Sequence, residues 1–173
     1  MAHVVRKISR AKWEPREELG SDAISADAVT SDLRTSGNRL SFWECADPEN
    51  ESELRQVILA LAGAFDRIDK IDVVWIKRDA AEEKGIVFKE CKGRTRVADL
   101  QERHLDAIRL ELNKLNVLAK LLASAVRIDK NCRRYTKNQV VEIIAEATRK
   151  GRISPDQLPP AIRKRVCSKG LNK

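Results

Sequence analysis

Apolar and polar positions along the chain fall into short blocks with distinct periods, and each block predicts an element. The segment from Ala26 to Thr35 reads as a short helix, with Ser25 placed to cap its start and Gly37 placed as a left-handed terminator. Leu40-Ser41-Phe42-Trp43-Glu44-Cys45 is a β-prone run between turn residues and predicts a strand over 40–45. Asp47-Pro48 then opens a helix over 51–66, with Glu49, Glu51 and Glu53 near its positive end. Leu54, Val57, Ile58, Leu61 and Phe65 recur there at helical spacing and give one apolar face. The nearly continuous apolar run from Ile71 to Ile76 suits a strand covered on both faces, expected over 71–77. Residues 78–85 are charged and turn-like, and 86–91 return as a strand. The short connection predicts a hairpin.

The longest pattern runs from about Val97 to Val126. Leu105, Leu112, Ala119 and Val126 are seven apart, with Ile108, Leu115 and Leu122 between them, a heptad seam that predicts one long helix. Leu110, Val117, Leu118 and Leu121 widen the stripe, so both self-association and an intramolecular bundle remain open.

Beyond it, Thr136-Lys137-Asn138-Gln139 is a capping-box pattern for a helix over 137–150, whose stripe is Val140, Ile143, Ile144 and Ala147. Ser154-Pro155 is a second start signal, interrupted by Pro159-Pro160, and a last helix is expected over 160–168. The first 20 residues alternate basic and acidic groups and read as an arm in which Trp13 either pins the arm to the body or inserts into a partner. Trp43 and Trp75 read as core residues. The resulting expectation is an α+β fold. A small three-stranded sheet carries packed helices and a long helix (about 97–126), as a body over 1–126 with a basic helical region over 127–173.

Charge sharpens that division. Residues 127–173 hold 13 Lys/Arg against 4 Asp/Glu, whereas residues 1–126 hold 21 against 22, so the net charge of +8 sits at the C-terminal end. A neutral body with a basic terminal region is an electrostatic footprint for a polyanion. The expected partner is DNA or RNA, with phosphates met by Arg133, Arg134, Lys137, Arg149, Lys150, Arg152, Arg163, Lys164 and Arg165. The helix pair 137–150 and 160–168 is similar to a helix-turn-helix, with Arg163, Lys164 and Arg165 on the second helix. No apolar leader and no stretch long enough for a membrane span are expected, and four scattered cysteines suit a reducing cytoplasm better than a disulfide framework.

Candidate chemistry is sparse. With His3 and His104 alone, and Cys45, Cys91, Cys132 and Cys167 far apart in sequence, no zinc-ligand spacing is visible. His104, next to Arg103 within the expected long helix, reads as a surface or interface residue. No glycine-rich phosphate loop or nucleophile elbow occurs, and no small-molecule cofactor is expected. Asp72 opening one strand and Glu90-Cys91-Lys92 ending the next resembles the metal site of PD-(D/E)xK nucleases, over residues 72–92 only. The resemblance implies that Asp72 and Glu90 hold Mg²⁺ and that Lys92 orients the attacking water, with Glu53 as an outer carboxylate. The plainer reading is a strand-end Glu/Lys pair facing solvent. The leading expectation is a non-catalytic, cytoplasmic nucleic-acid-binding or adaptor subunit, joined to itself or to another chain through helix 97–126. A Mg²⁺-dependent nuclease and an antitoxin- or immunity-like subunit docking on an acidic protein are the alternatives.

Overall fold

A computed structural model describes residues 2–128 and 131–170 of the chain; residues 129–130 and 171–173 of the expected basic region lie outside it. Six strands form one antiparallel sheet: β1 (His3–Ile8), β2 (Leu40–Cys45), β3 (Ile71–Lys77), β4 (Val87–Glu90), β5 (His104–Ile108) and β6 (Cys132–Tyr135). Their order across the sheet is β4-β5-β2-β1-β3-β6. The helices are α1 (Ala26–Asp32), α2 (Glu51–Gly63), α3 (Arg78–Glu83), α4 (Leu112–Arg127), α5 (Lys137–Arg149) and α6 (Pro160–Gly170).

Alternation along the strands builds a core on each face of the sheet. Val5, Trp43, Ile71, Val73 and Trp75 point to the side covered by α2, α5 and α6. Val4, Ile8, Phe42, Val74 and Ile76 point to the side covered by α4, with α1 and α3. β3 is buried on both faces, which explains its unbroken apolar run. Thr136 and Gln139 close the capping box at the start of α5. The Ser154/Gln157 pair closes a second one around a single 3₁₀ turn, and α6 starts only at Pro160.

The three-stranded sheet and the long helix expected from the sequence are both overturned. The arm of the first 20 residues supplies β1, which pairs with β2 on one side and β3 on the other. Arg6 and Lys7 masked the strand in a basic segment, although Val4 and Val5 are fully buried. β6 escaped notice for the same reason, since its sequence is Cys-Arg-Arg-Tyr. The heptad seam is divided between two elements. His104–Ile108 alternates as well as it follows a seven-residue period, and as β5 it gains hydrogen-bonded neighbours on both sides, β2 and β4. Arg109 then takes a left-handed conformation (φ 55°), which breaks any continuous helix before α4. Leu118, Ala119, Leu122 and Val126 pack into the core of their own chain, while Leu112 is 81% exposed.

The expected hairpin of 71–91 is absent too. α3 follows β3 directly, and β4 lies at the far edge of the sheet, because β1 and β6 already occupy both sides of β3. Trp13 is fully buried, its Nε1 donating to Asp32 Oδ2 at 2.8 Å. Arg127 of α4 holds the same segment, donating to the carbonyls of Trp13, Ser21 and Ala23. No helix among the described residues is long and apolar enough to cross a membrane.

Candidate functional site

Strand order decides where the nuclease-like residues go. Asp72 is on β3 and Glu90 on β4, with β1, β2 and β5 between them. At about 4.8 Å per strand, four steps put the two carboxylates roughly 19 Å apart across the sheet. Asp72 is buried and gripped by Arg134, whose Nε and Nη2 donate to its two oxygens at 2.6 and 3.0 Å. Lys92 pairs with Glu102 at 3.2 Å, and Glu53 with Arg103 at 3.1 Å. These residues do not converge on a common Mg²⁺ position, because the hairpin that would have joined them does not form.

The basic C-terminal residues divide into two groups. Arg133 pairs with Glu51, Arg134 with Asp72, Lys150 with Glu146, Arg152 with Asp99, and Arg163 with Asp156. Arg163 also donates to the carbonyls of Asp156 and Leu158, so it fastens α6 to the preceding linker. Lys150, followed by Arg55 of α2, holds the Glu146 carboxyl below its ordinary range. Lys137, Arg149, Lys164 and Arg165 are exposed, and among the described residues none of the four forms an ion pair.

Lys137 belongs to a feature that the sequence did not reveal. At the end of the sheet where β1 finishes and β3 begins, Lys7, Arg67, Lys70 and Lys137 surround a depression of about 510 Å³. Lys7 and Phe65 line a second depression of about 440 Å³ beside it, which extends the groove to Arg34 and Arg39. Lys7 Nζ lies 4.3 Å from the centroid of the Phe65 ring, and Phe65 and Ile68 are half-buried in the groove wall. Among the described residues none of these six cations has a carboxylate within ion-pair distance. Of the acids lining these depressions, Asp66 is bound by Arg96 at 2.7 Å, Asp32 accepts from Ser9 N and Trp13 Nε1, and exposed Asp69 accepts from the Lys70 amide at 2.7 Å. Arg6 lies in the same wall, its guanidinium donating to the carbonyls of Asp32 and Ser41 rather than to a carboxylate. Burial lowers its pKa to about 10, so it stays charged at neutral pH and adds to the groove's positive field.

A second grouping lies on the other half of the sheet. Cys91 follows β4 and faces His104 of β5, its amide donating to the His104 carbonyl at 3.1 Å. Cys91 Sγ is 3.2 Å from His104 Nδ1, and His104 Nε2 is 3.9 Å from Asp106 Oδ1. His104 and Asp106 are two apart on one strand and therefore share a face. The expectation that His104 sits on a helix surface fails with the long helix; it is 9% exposed and packs edge-on against Trp43, ring centroids 5.1 Å apart. Burial and the Asp106 carboxylate push the Cys91 thiol up from its ordinary value. The sequence signal was His-x-Asp within an alternating segment, legible only once that segment is read as a strand.

Comparison of the chain with protein-family models, curated proteins and solved structures finds no match to any of them.

Proposed function

We propose that the protein binds nucleic acid through its phosphate backbone, with the groove of Lys7, Arg34, Arg39, Arg67, Lys70 and Lys137 as the principal contact. The observation that carries this reading is that six cations line two depressions that meet at Lys7 and Phe65, and among the described residues none of them has a carboxylate partner, whereas much of the basic C-terminal region is internally neutralised. Lys and Arg without carboxylate partners around a groove that also presents Phe65 and Ile68 suit a sequence-independent polyanion contact, in which the release of counterions supplies most of the affinity. Lys164 and Arg165 on α6 and Arg149 on α5 are further exposed cations of the basic C-terminal region. The role is one of binding rather than catalysis, and four free cysteines fit a reducing, cytoplasmic setting.

The test is fluorescence anisotropy with labelled single- and double-stranded DNA and RNA over a salt series. Six phosphate contacts on a single strand give a slope of log K against log salt of about −4. Absence of binding at about 150 mM salt contradicts the reading and favours an acidic protein as the groove's partner.

A further inference from the structure

We propose that Cys91, His104 and Asp106 form a binding site for a divalent transition metal, with Zn²⁺ as the fitting ion. The three residues offer one thiol sulfur, one imidazole nitrogen and one carboxylate oxygen, all within 4.8 Å of one another. Zinc bonds of about 2.3 Å to sulfur and about 2.0–2.2 Å to nitrogen and oxygen place tetrahedral ligand atoms roughly 3–4 Å apart. Sγ and Nδ1, 3.2 Å apart, already lie in that range; Asp106 Oδ1 is 3.9 Å from the other ring nitrogen, Nε2, so an ion held through one nitrogen requires the ring or the carboxylate to rotate to bring the third ligand in.

The surroundings hold these side chains in place. Trp43 packs edge-on to the imidazole, and the Ser41 hydroxyl donates to Asp106 Oδ1 at 3.3 Å. Gly93 brings the chain over the cluster. A Cβ there would lie 2.5 Å from Trp43 Cη2 and 2.8 Å from His104 Cβ, so only glycine permits this close approach.

Donor chemistry selects the ion. A thiolate and an imidazole favour zinc and its soft or borderline neighbours over Mg²⁺ or Ca²⁺, which prefer oxygen alone. Binding breaks the Cys91 S–H bond, forms a metal–sulfur bond and releases the proton to solvent. The thiolate and the Asp106 carboxylate then balance the two positive charges of the ion, and the like-charge conflict between them is removed. Three protein ligands leave a fourth position for water or a small exogenous ligand, reachable because Cys91 and Asp106 are both partly exposed. The metal would also fasten β4, the edge strand, to β5.

Cobalt reports on the site directly. The chelator-treated full-length chain is titrated with Co²⁺ and then with Zn²⁺. One equivalent of Co²⁺ is expected to give tetrahedral visible bands and a thiolate-to-cobalt charge-transfer band, both removed by Zn²⁺. Cys91→Ser should abolish the charge-transfer band, and Asp106→Asn should weaken binding at least about tenfold with the fold intact by circular dichroism. Cys167→Ser should leave the spectrum unchanged. A spectrum without the charge-transfer band, or one that persists in Cys91→Ser, overturns the proposal. If Cys91→Ser does not fold, affinity in Asp106→Asn decides, and an unchanged value there overturns it equally. Nucleic-acid binding plays no part in this titration, so the outcome is independent of the groove.

Discussion

Arg134 and Asp72 face one another across neighbouring strands β6 and β3, and the guanidinium meets both oxygens of the carboxylate. The Asp72 side chain is 5% exposed and that of Arg134 is 44% exposed, so the carboxylate depends on this one partner for its charge compensation. Arg134→Ala therefore leaves a buried charge unpaired and is expected to lower the urea midpoint. Arg134→Lys should recover only part, because an ammonium cannot make the two-pronged contact. Urea denaturation measures both, and an unchanged midpoint in Arg134→Ala would contradict the pairing.

Gly93 carries a second prediction. Trp43 is 5% exposed, and both it and His104 sit within the distance where an added methyl must displace something. Gly93→Ala is expected to cost about 1–3 kcal/mol through overpacking and to alter the near-ultraviolet signal of the indole. A melting curve and near-ultraviolet spectrum identical to those of the parent chain would refute that packing.

Alkaline pH should destabilise the fold, and the sign follows from two buried acids. Burial raises the Cys45 thiol from 9.0 to about 11, and burial followed by the Glu51 charge raises the Tyr135 phenol from 10.0 to about 12. Between pH 9 and 11 the folded chain therefore holds, on balance, a proton that the unfolded chain has released, because above pH 10 the two held by Cys45 and Tyr135 outnumber the one that buried Arg6, lowered to about 10, gives up. The stability is fully present below pH 9 and declines as pH rises, by about 1.4 kcal/mol per pH unit for each proton so held. Cys45 also senses Asp47, Glu53 and Arg103. Urea melts from pH 8 to 11 should show the decline, and Cys45→Ala should flatten it above pH 9. A flat profile in the parent chain would rule out this account.

The sequence was most informative where one signal dominated. Leu40–Cys45 and Ile71–Lys77 are strands where alternation and continuous apolar character place them, and the cap of Thr136 marks the start of α5. It was silent where charge and tertiary pairing compete. Arg6 sits in a central strand because it satisfies its guanidinium on the carbonyls of Asp32 and Ser41, partners 26 and 35 residues away. Trp13 is buried in the core because Asp32 and Arg127 hold its segment down. Leu105 satisfies a seven-residue period with Leu112 and a two-residue period with Ala107 at once, and only the neighbouring strands decide between them. The groove shared the same obstacle, since Lys7, Arg67 and Lys137 lie far apart in sequence and meet only through the order β1-β3 and the packing of α5.

The most direct test compares two triple charge reversals in one salt series of nucleic-acid binding. One replaces Lys7, Lys70 and Lys137 by Glu in the groove, and the other replaces Arg149, Lys164 and Arg165 on α5 and α6. The account predicts that the groove variant loses most of the affinity and that its salt slope falls from about −4 to about −2, with a smaller loss for the helix variant. Equal affinity of the groove variant and the parent chain would contradict the groove as the binding surface.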